Sequence, residues 1–104
     1  MSPMETVCKY LDAPELLTQL AEEAAELSQA ALKLRRALTG ANPTPRTVKE
    51  CEQGLLEELA DVNTCLTVLD YKLELEWENI WGMVGKKMAR WADRLEAVNN
   101  DTAR

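Results

Sequence analysis

Leu20, Ala24, Leu27, Ala31, Leu34 and Leu38 recur at spacings of 4, 3, 4, 3 and 4. Only a helix brings such positions to one side, because each residue turns the chain by about 100°. The stripe is heptad-like, so this helix needs an apolar surface to lie against. A second stripe runs through Val48, Leu55, Leu59, Val62, Leu66, Leu69 and Leu73. A third comprises Ile80, Val84, Met88, Trp91 and Leu95. No segment alternates with the two-residue period of a strand, and no internal repeat interrupts the pattern.

Breakers and capping residues place the helix ends. Asp12-Ala13-Pro14-Glu15 reads as a helix start: Asp12 caps, Pro14 is tolerated in the first turn, and Glu15 completes a capping box. The helix is predicted to run to about Leu38. Thr39-Gly40-Ala41-Asn42-Pro43-Thr44-Pro45 is dense in breakers and reads as a loop. Thr47 and Glu50 offer a second capping box. Gly54 inside the following helix costs about 1 kcal/mol relative to alanine. A turn is expected near Leu73–Trp77, since one helix from Thr47 to Val98 would exceed a small domain's diameter. The last helix is expected to reach about Val98, with residues 99–104 frayed. A short helical stretch is expected around Thr6–Leu11.

These elements define an all-α fold, a bundle of three long helices plus a short N-terminal helix. The 104 residues fit one domain, with its core at about 14–98. Three striped helices on so short a chain leave apolar surface uncovered. A homo-oligomer, dimer or tetramer, is therefore expected.

Charge and composition exclude several chemistries. Acidic residues number 18 and basic residues 12, giving a formal net charge of −6. Duplex nucleic acid, which wants a basic face, is not an expected partner. The chain has no histidine. That excludes Ser-His-Asp and Cys-His nucleophiles, His-bearing zinc sites and Glu-x-x-His di-iron centres within it. Cys8, Cys51 and Cys65 are odd in number and form no Cys-x-x-Cys pair, so no disulfide framework is expected. Cys51 and Cys65 would sit about 21 Å apart along one helix. A reduced, cytoplasmic protein fits. No signal-peptide pattern and no run of membrane-spanning length is recognised.

The acids are arranged. Glu22-Glu23-Ala24-Ala25-Glu26 lies in one long helix, Glu57-Glu58-Leu59-Ala60-Asp61 in the next. Each carries acids at i and i+3, on one helix face. Glu23 is placed roughly 60° from the centre of its apolar stripe and Glu26 roughly 120°. Glu58 and Asp61 fall similarly beside theirs, while Glu22 and Glu57 point further outward. On an acidic helical chain such pairs commonly form a solvated face. Here both are mid-helix and flanked by small and apolar residues. Two antiparallel helices packed through these seams can gather four carboxylates, which repel unless protonated or neutralised by a cation. Oxygen ligands without His or Cys suit Mg²⁺, or Mn²⁺, and Mg²⁺ in such sites commonly also binds substrate phosphates.

Glu22-Glu23-x-x-Glu26 followed by Glu58-x-x-Asp61-Val62 resembles the motif of the MazG-like, all-α nucleoside triphosphate pyrophosphohydrolases. The Asn42-Pro43-Thr44-Pro45 loop and the Lys86-Lys87-x-x-Arg90-Trp91-x-x-Arg94-Leu95 ending are similar to those of small, phage-type members. The resemblance covers roughly residues 14–96. It implies Mg²⁺-dependent hydrolysis of a nucleoside triphosphate to the monophosphate and pyrophosphate. Glu23, Glu26, Glu58 and Asp61 would be the metal ligands and catalytic carboxylates, with Glu22 behind them. The family often has a lysine followed by an asparagine in the last helix, and the asparagine is not evident here. Lys86, Lys87 and Arg90 are the candidate phosphate donors. Lys33, Arg35 and Arg36 read better as charges offsetting a helix dipole. Tyr10 and Trp81 are candidates for stacking on a base. Two other readings stand beside this one. A phosphoribosyl-ATP pyrophosphohydrolase shares the acidic motif but usually carries histidine in the Asp-containing helix. A non-catalytic helical dimerisation or adaptor module would leave the acids solvated.

Overall fold

A computed structural model describes residues 1–40 and 45–102. Its elements are α1 (Pro3–Tyr10), α2 (Ala13–Thr39), α3 (Val48–Leu73) and α4 (Trp77–Thr102). There is no strand among the described residues. Most of the expected breaker loop, residues 41–44, lies outside them, as do residues 103–104.

Local chemistry sets the helix ends. In α1 the Glu5 backbone N–H donates to Ser2 Oγ (3.1 Å). In α2 the Glu15 N–H donates to Asp12 Oδ1 (2.9 Å), and the Asp12 N–H donates back to Glu15 Oε1 (3.3 Å). Thr47 and Glu50 form the same reciprocal pair at the start of α3. Each box satisfies two backbone donors that a helix start leaves open. At the other end of α2, Gly40 takes the left-handed conformation (φ 68°) and closes the last turn. Glu74 does the same for α3 (φ 53°), although it is not glycine. The break before α4 thus falls where the sequence places it. α4 runs to Thr102, beyond the expected end near Val98.

The chain divides into two compact units, Met1–Glu74 and Leu75–Arg104. In the first, α2 and α3 pack as an antiparallel hairpin and α1 packs on α3. Lys72 ties α1 down, donating from Nζ to the carbonyls of Cys8 (3.0 Å) and Leu11 (3.4 Å). These carbonyls end α1 and have no partner in the next turn. Among the described residues the buried apolar ones are Leu16, Cys51, Val68 and Leu69. That is a thin core for helices of this length.

The inward face of α2 differs from the expected stripe. Apart from Ala13 and Arg36 at the two ends, its buried or half-buried positions are Leu16, Leu20, Glu23, Leu27, Ala30, Leu34 and Ala37, while Ala24, Ala31 and Leu38 are exposed. Leu20, Leu27 and Leu34 belong to both patterns. A helix can continue from them by three residues or by four, and packing selected the side that carries Leu16, which is 3% exposed. The carboxylate of Glu23 consequently lies in the seam and not on its shoulder. The second unit consists of α4 and the residues before it. Its stripe includes Val84, Met88, Trp91, Leu95 and Val98, all exposed. All three cysteines are free thiols. No helix among the described residues is long and apolar enough to cross a membrane.

Candidate metal centre

The antiparallel pairing of α2 and α3 brings the two acidic motifs face to face. Glu23 and Glu26 come from α2, Glu58 and Asp61 from α3. One carboxylate oxygen from each lies within 4.8 Å of the others. Glu23 and Glu58 are half-buried, Glu26 and Asp61 exposed. The cluster thus has a protein-facing floor and an open, solvent-facing side. Glu22 and Glu57 are exposed and outside the group.

Two oxygens in the floor stand out. Glu23 Oε2 and Glu58 Oε2 are buried and accept no hydrogen bond. A buried acceptor without a donor is costly, and more so when it is charged. Glu23 is held in this pose by Gln19, one turn earlier on α2, whose Nε2 donates to Glu23 Oε1 (2.9 Å). Burial raises the Glu23 carboxyl above its ordinary pKa of 4.5. The Gln19 bond opposes that shift, and the charges of Glu26 and Asp61 add to it. The cysteine one turn beyond Asp61 feels the same field. Burial pushes the Cys65 thiol up, with the charges of Glu23 and Asp61 adding to the rise.

The donor set fits a hard divalent cation. All four groups are carboxylates, and two of them carry a buried oxygen without a hydrogen-bond partner.

Two unlike cavities flank the cluster. Toward α1 lies one of about 240 Å³, lined by Glu23 and Asp61 together with Leu11, Leu16, Cys65 and Val68. In the other direction along the hairpin lies a groove of about 470 Å³. Glu26 and Glu58 line its near end, and Gln29, Lys33, Arg46 and Glu50 also line it. No protein-family model, curated protein or solved structure matches this chain. What the centre can do is therefore read from its own residues.

The remaining sequence candidates belong to other elements. Lys86, Lys87, Arg90 and Trp81 are exposed on α4, in the second unit. Tyr10 is exposed near the end of α1, with Lys9 Nζ 5.5 Å from its ring centroid. The sequence reading missed Gln19. Its signal was available: a glutamine four residues before a glutamate reaches that glutamate on a helix.

Proposed function

We propose that this protein is an oligomeric, Mg²⁺-dependent nucleoside triphosphate pyrophosphohydrolase of the MazG-like kind. The observation that carries the reading is the convergence of Glu23, Glu26, Glu58 and Asp61, with Glu23 Oε2 and Glu58 Oε2 buried and unpartnered. A solvated acidic face would turn these oxygens to water. A centre built for a cation would keep them from water, and their burial supports that reading.

In this reading the four carboxylates hold Mg²⁺, with Mn²⁺ as a substitute. The bound ion would offset the charge of a triphosphate and make a water molecule a better nucleophile at the α-phosphorus. Glu23 and Glu58, fixed in the helix seam, set the position of the centre. Glu26 and Asp61, exposed, leave its outer side open to substrate. Gln19 keeps the Glu23 carboxylate turned toward the cluster. A carboxylate accepts the proton of the attacking water, a task that needs no histidine.

Assembly belongs to the proposal as well. Leu17, Ala24, Ala31 and Leu38 repeat every seven residues along α2, and all are exposed. α4 is a single helix and cannot bury its apolar stripe within its own unit. A second copy of the chain would cover such faces.

A panel of canonical and modified nucleoside triphosphates, incubated with Mg²⁺, tests the activity. Monophosphate and pyrophosphate are the expected products, and Glu58→Gln should abolish their formation. Orthophosphate release, or no turnover on any member, refutes the reading. A protein that is also indifferent to millimolar Mg²⁺ would be the helical adaptor.

A further inference from the structure

The polar groove beyond Glu26 and Glu58 has a chemistry that the acidic cluster alone does not explain. Lys33 lies seven residues after Glu26 on α2. That spacing places it on the same face, about 10.5 Å further along the axis. Arg46 reaches the groove from the other side, just before the Thr47 cap of α3. One cation thus comes from α2 and the other from the residue before the α3 cap, both remote from the cluster. Between them the floor is kept low by small residues, Ala30 and Gly54. A Cβ added at Gly54 would meet nothing within 4 Å, so the space there is open and not filled by packing.

We propose that this groove receives the pyrophosphate portion of a nucleotide substrate, with Lys33 and Arg46 as its donors. The proposal rests on the hydrolase reading and gives it a direction. A phosphate chain held at the cluster has two ways to extend. The cavity toward α1 is lined largely by apolar side chains and by no cation, which suits the nucleoside. The groove offers Lys33, Arg46 and the Gln29 amide, which suit phosphate oxygens. The scissile α-phosphorus then lies at the carboxylates, between the two.

The charges of the groove add a condition. Glu50 also lines it, but its carboxylate already accepts the Thr47 backbone N–H (3.1 Å). Glu26 and Glu58 bear on the near end. Three acids against two bases repel a polyanion until a divalent cation offsets Glu26 and Glu58. Pyrophosphate binding should therefore require Mg²⁺.

Calorimetric titration tests this. Mg²⁺ alone is titrated first, then inorganic pyrophosphate with and without Mg²⁺. The proteins are the wild type, Lys33→Gln, Arg46→Gln and a Lys86→Gln/Lys87→Gln/Arg90→Gln triple variant. Lys33 and Arg46 are exposed, so their removal opens no buried cavity. Each single variant is expected to weaken Mg²⁺-dependent pyrophosphate binding by about tenfold or more, as for loss of a charge-assisted bond. Lys33→Arg should retain it within a few-fold. Pyrophosphate binding that persists unchanged in Lys33→Gln and Arg46→Gln overturns the groove, whether or not the α4 triple variant loses it. The hydrolase reading then survives, because wild-type Mg²⁺ binding is measured separately. A wild-type protein that binds no Mg²⁺ overturns both.

Discussion

Gln19 Nε2 donates to Glu23 Oε1 at 2.9 Å, while the other oxygen of the same carboxylate, Oε2, is buried and unpartnered. Gln19 touches only one proposed ligand, yet it decides how that ligand points. Partners that orient a metal ligand commonly contribute 10- to 100-fold to affinity. Gln19→Leu is expected to weaken Mg²⁺ binding by about tenfold, measured by calorimetry. Unchanged affinity would mean that packing alone orients Glu23.

Glu58→Gln should act in opposite directions with and without the ion. In EDTA it removes one of four converging charges, so the melting temperature should rise or hold. In Mg²⁺ the wild type gains about 2.7 kcal/mol once the ion exceeds its Kd a hundredfold, and the variant loses that gain. A crossing of the two stability orders, read by thermal melts, is the expected result. Parallel shifts in both conditions would show that Glu58 acts only through packing.

The pH dependence of the metal-free protein has two opposed contributions. Glu23 titrates above its ordinary 4.5 when folded, so the folded state takes up its proton first. Its contribution to stability is fully present below pH 4.5 and is lost as pH rises through the raised value. Glu50 is held below 4.5 by the Thr47 backbone N–H, with the Thr47 hydroxyl and Arg46 adding to the effect. Its contribution is present above 4.5 and is lost as pH falls through the lowered value. Urea unfolding in EDTA should therefore show stability rising on mild acidification toward 4.5 and declining below it. Glu23→Gln should lack the rise, and Thr47→Ala should blunt the decline.

The two helix ends in the left-handed region should respond oppositely to substitution. Gly40 has φ 68° and Glu74 has φ 53°. A side chain there costs about 1 kcal/mol or more. Gly40→Ala should therefore destabilise by about 1 kcal/mol. Glu74→Gly should stabilise by somewhat less, because glycine also loosens the unfolded chain. Denaturant midpoints report both. Equal signs would contradict the strain argument.

Much of the local structure was legible in the sequence because its causes are local. Asp12 with Glu15, and Thr47 with Glu50, fix their helix starts through bonds spanning three residues. The break before Trp77 was harder to read. No glycine or proline marks it, and the turn is made by Glu74 in a conformation that a glutamate rarely takes.

The candidate site was half legible. Spacing places Glu23 with Glu26, and Glu58 with Asp61, because i and i+3 share a face on any helix. Which side of α2 faces α3 depends on contacts across the hairpin. Leu20, Leu27 and Leu34 are compatible with two stripes, and the more apolar one, through Ala24, Ala31 and Leu38, is the one left exposed.

The sequence by itself determined that this chain is helical, where most helices begin and end, and that its chemistry runs without histidine. Those properties follow from periodicity, capping and residue type, which need no knowledge of distant contacts. Only the tertiary structure decided that four carboxylates meet within 4.8 Å, that two of their oxygens are buried without partners, and that Lys33 and Arg46 share a groove. These depend on the register and rotation of α2 against α3, set by the summed burial of Leu16, Cys51, Val68 and Leu69, which no single segment encodes.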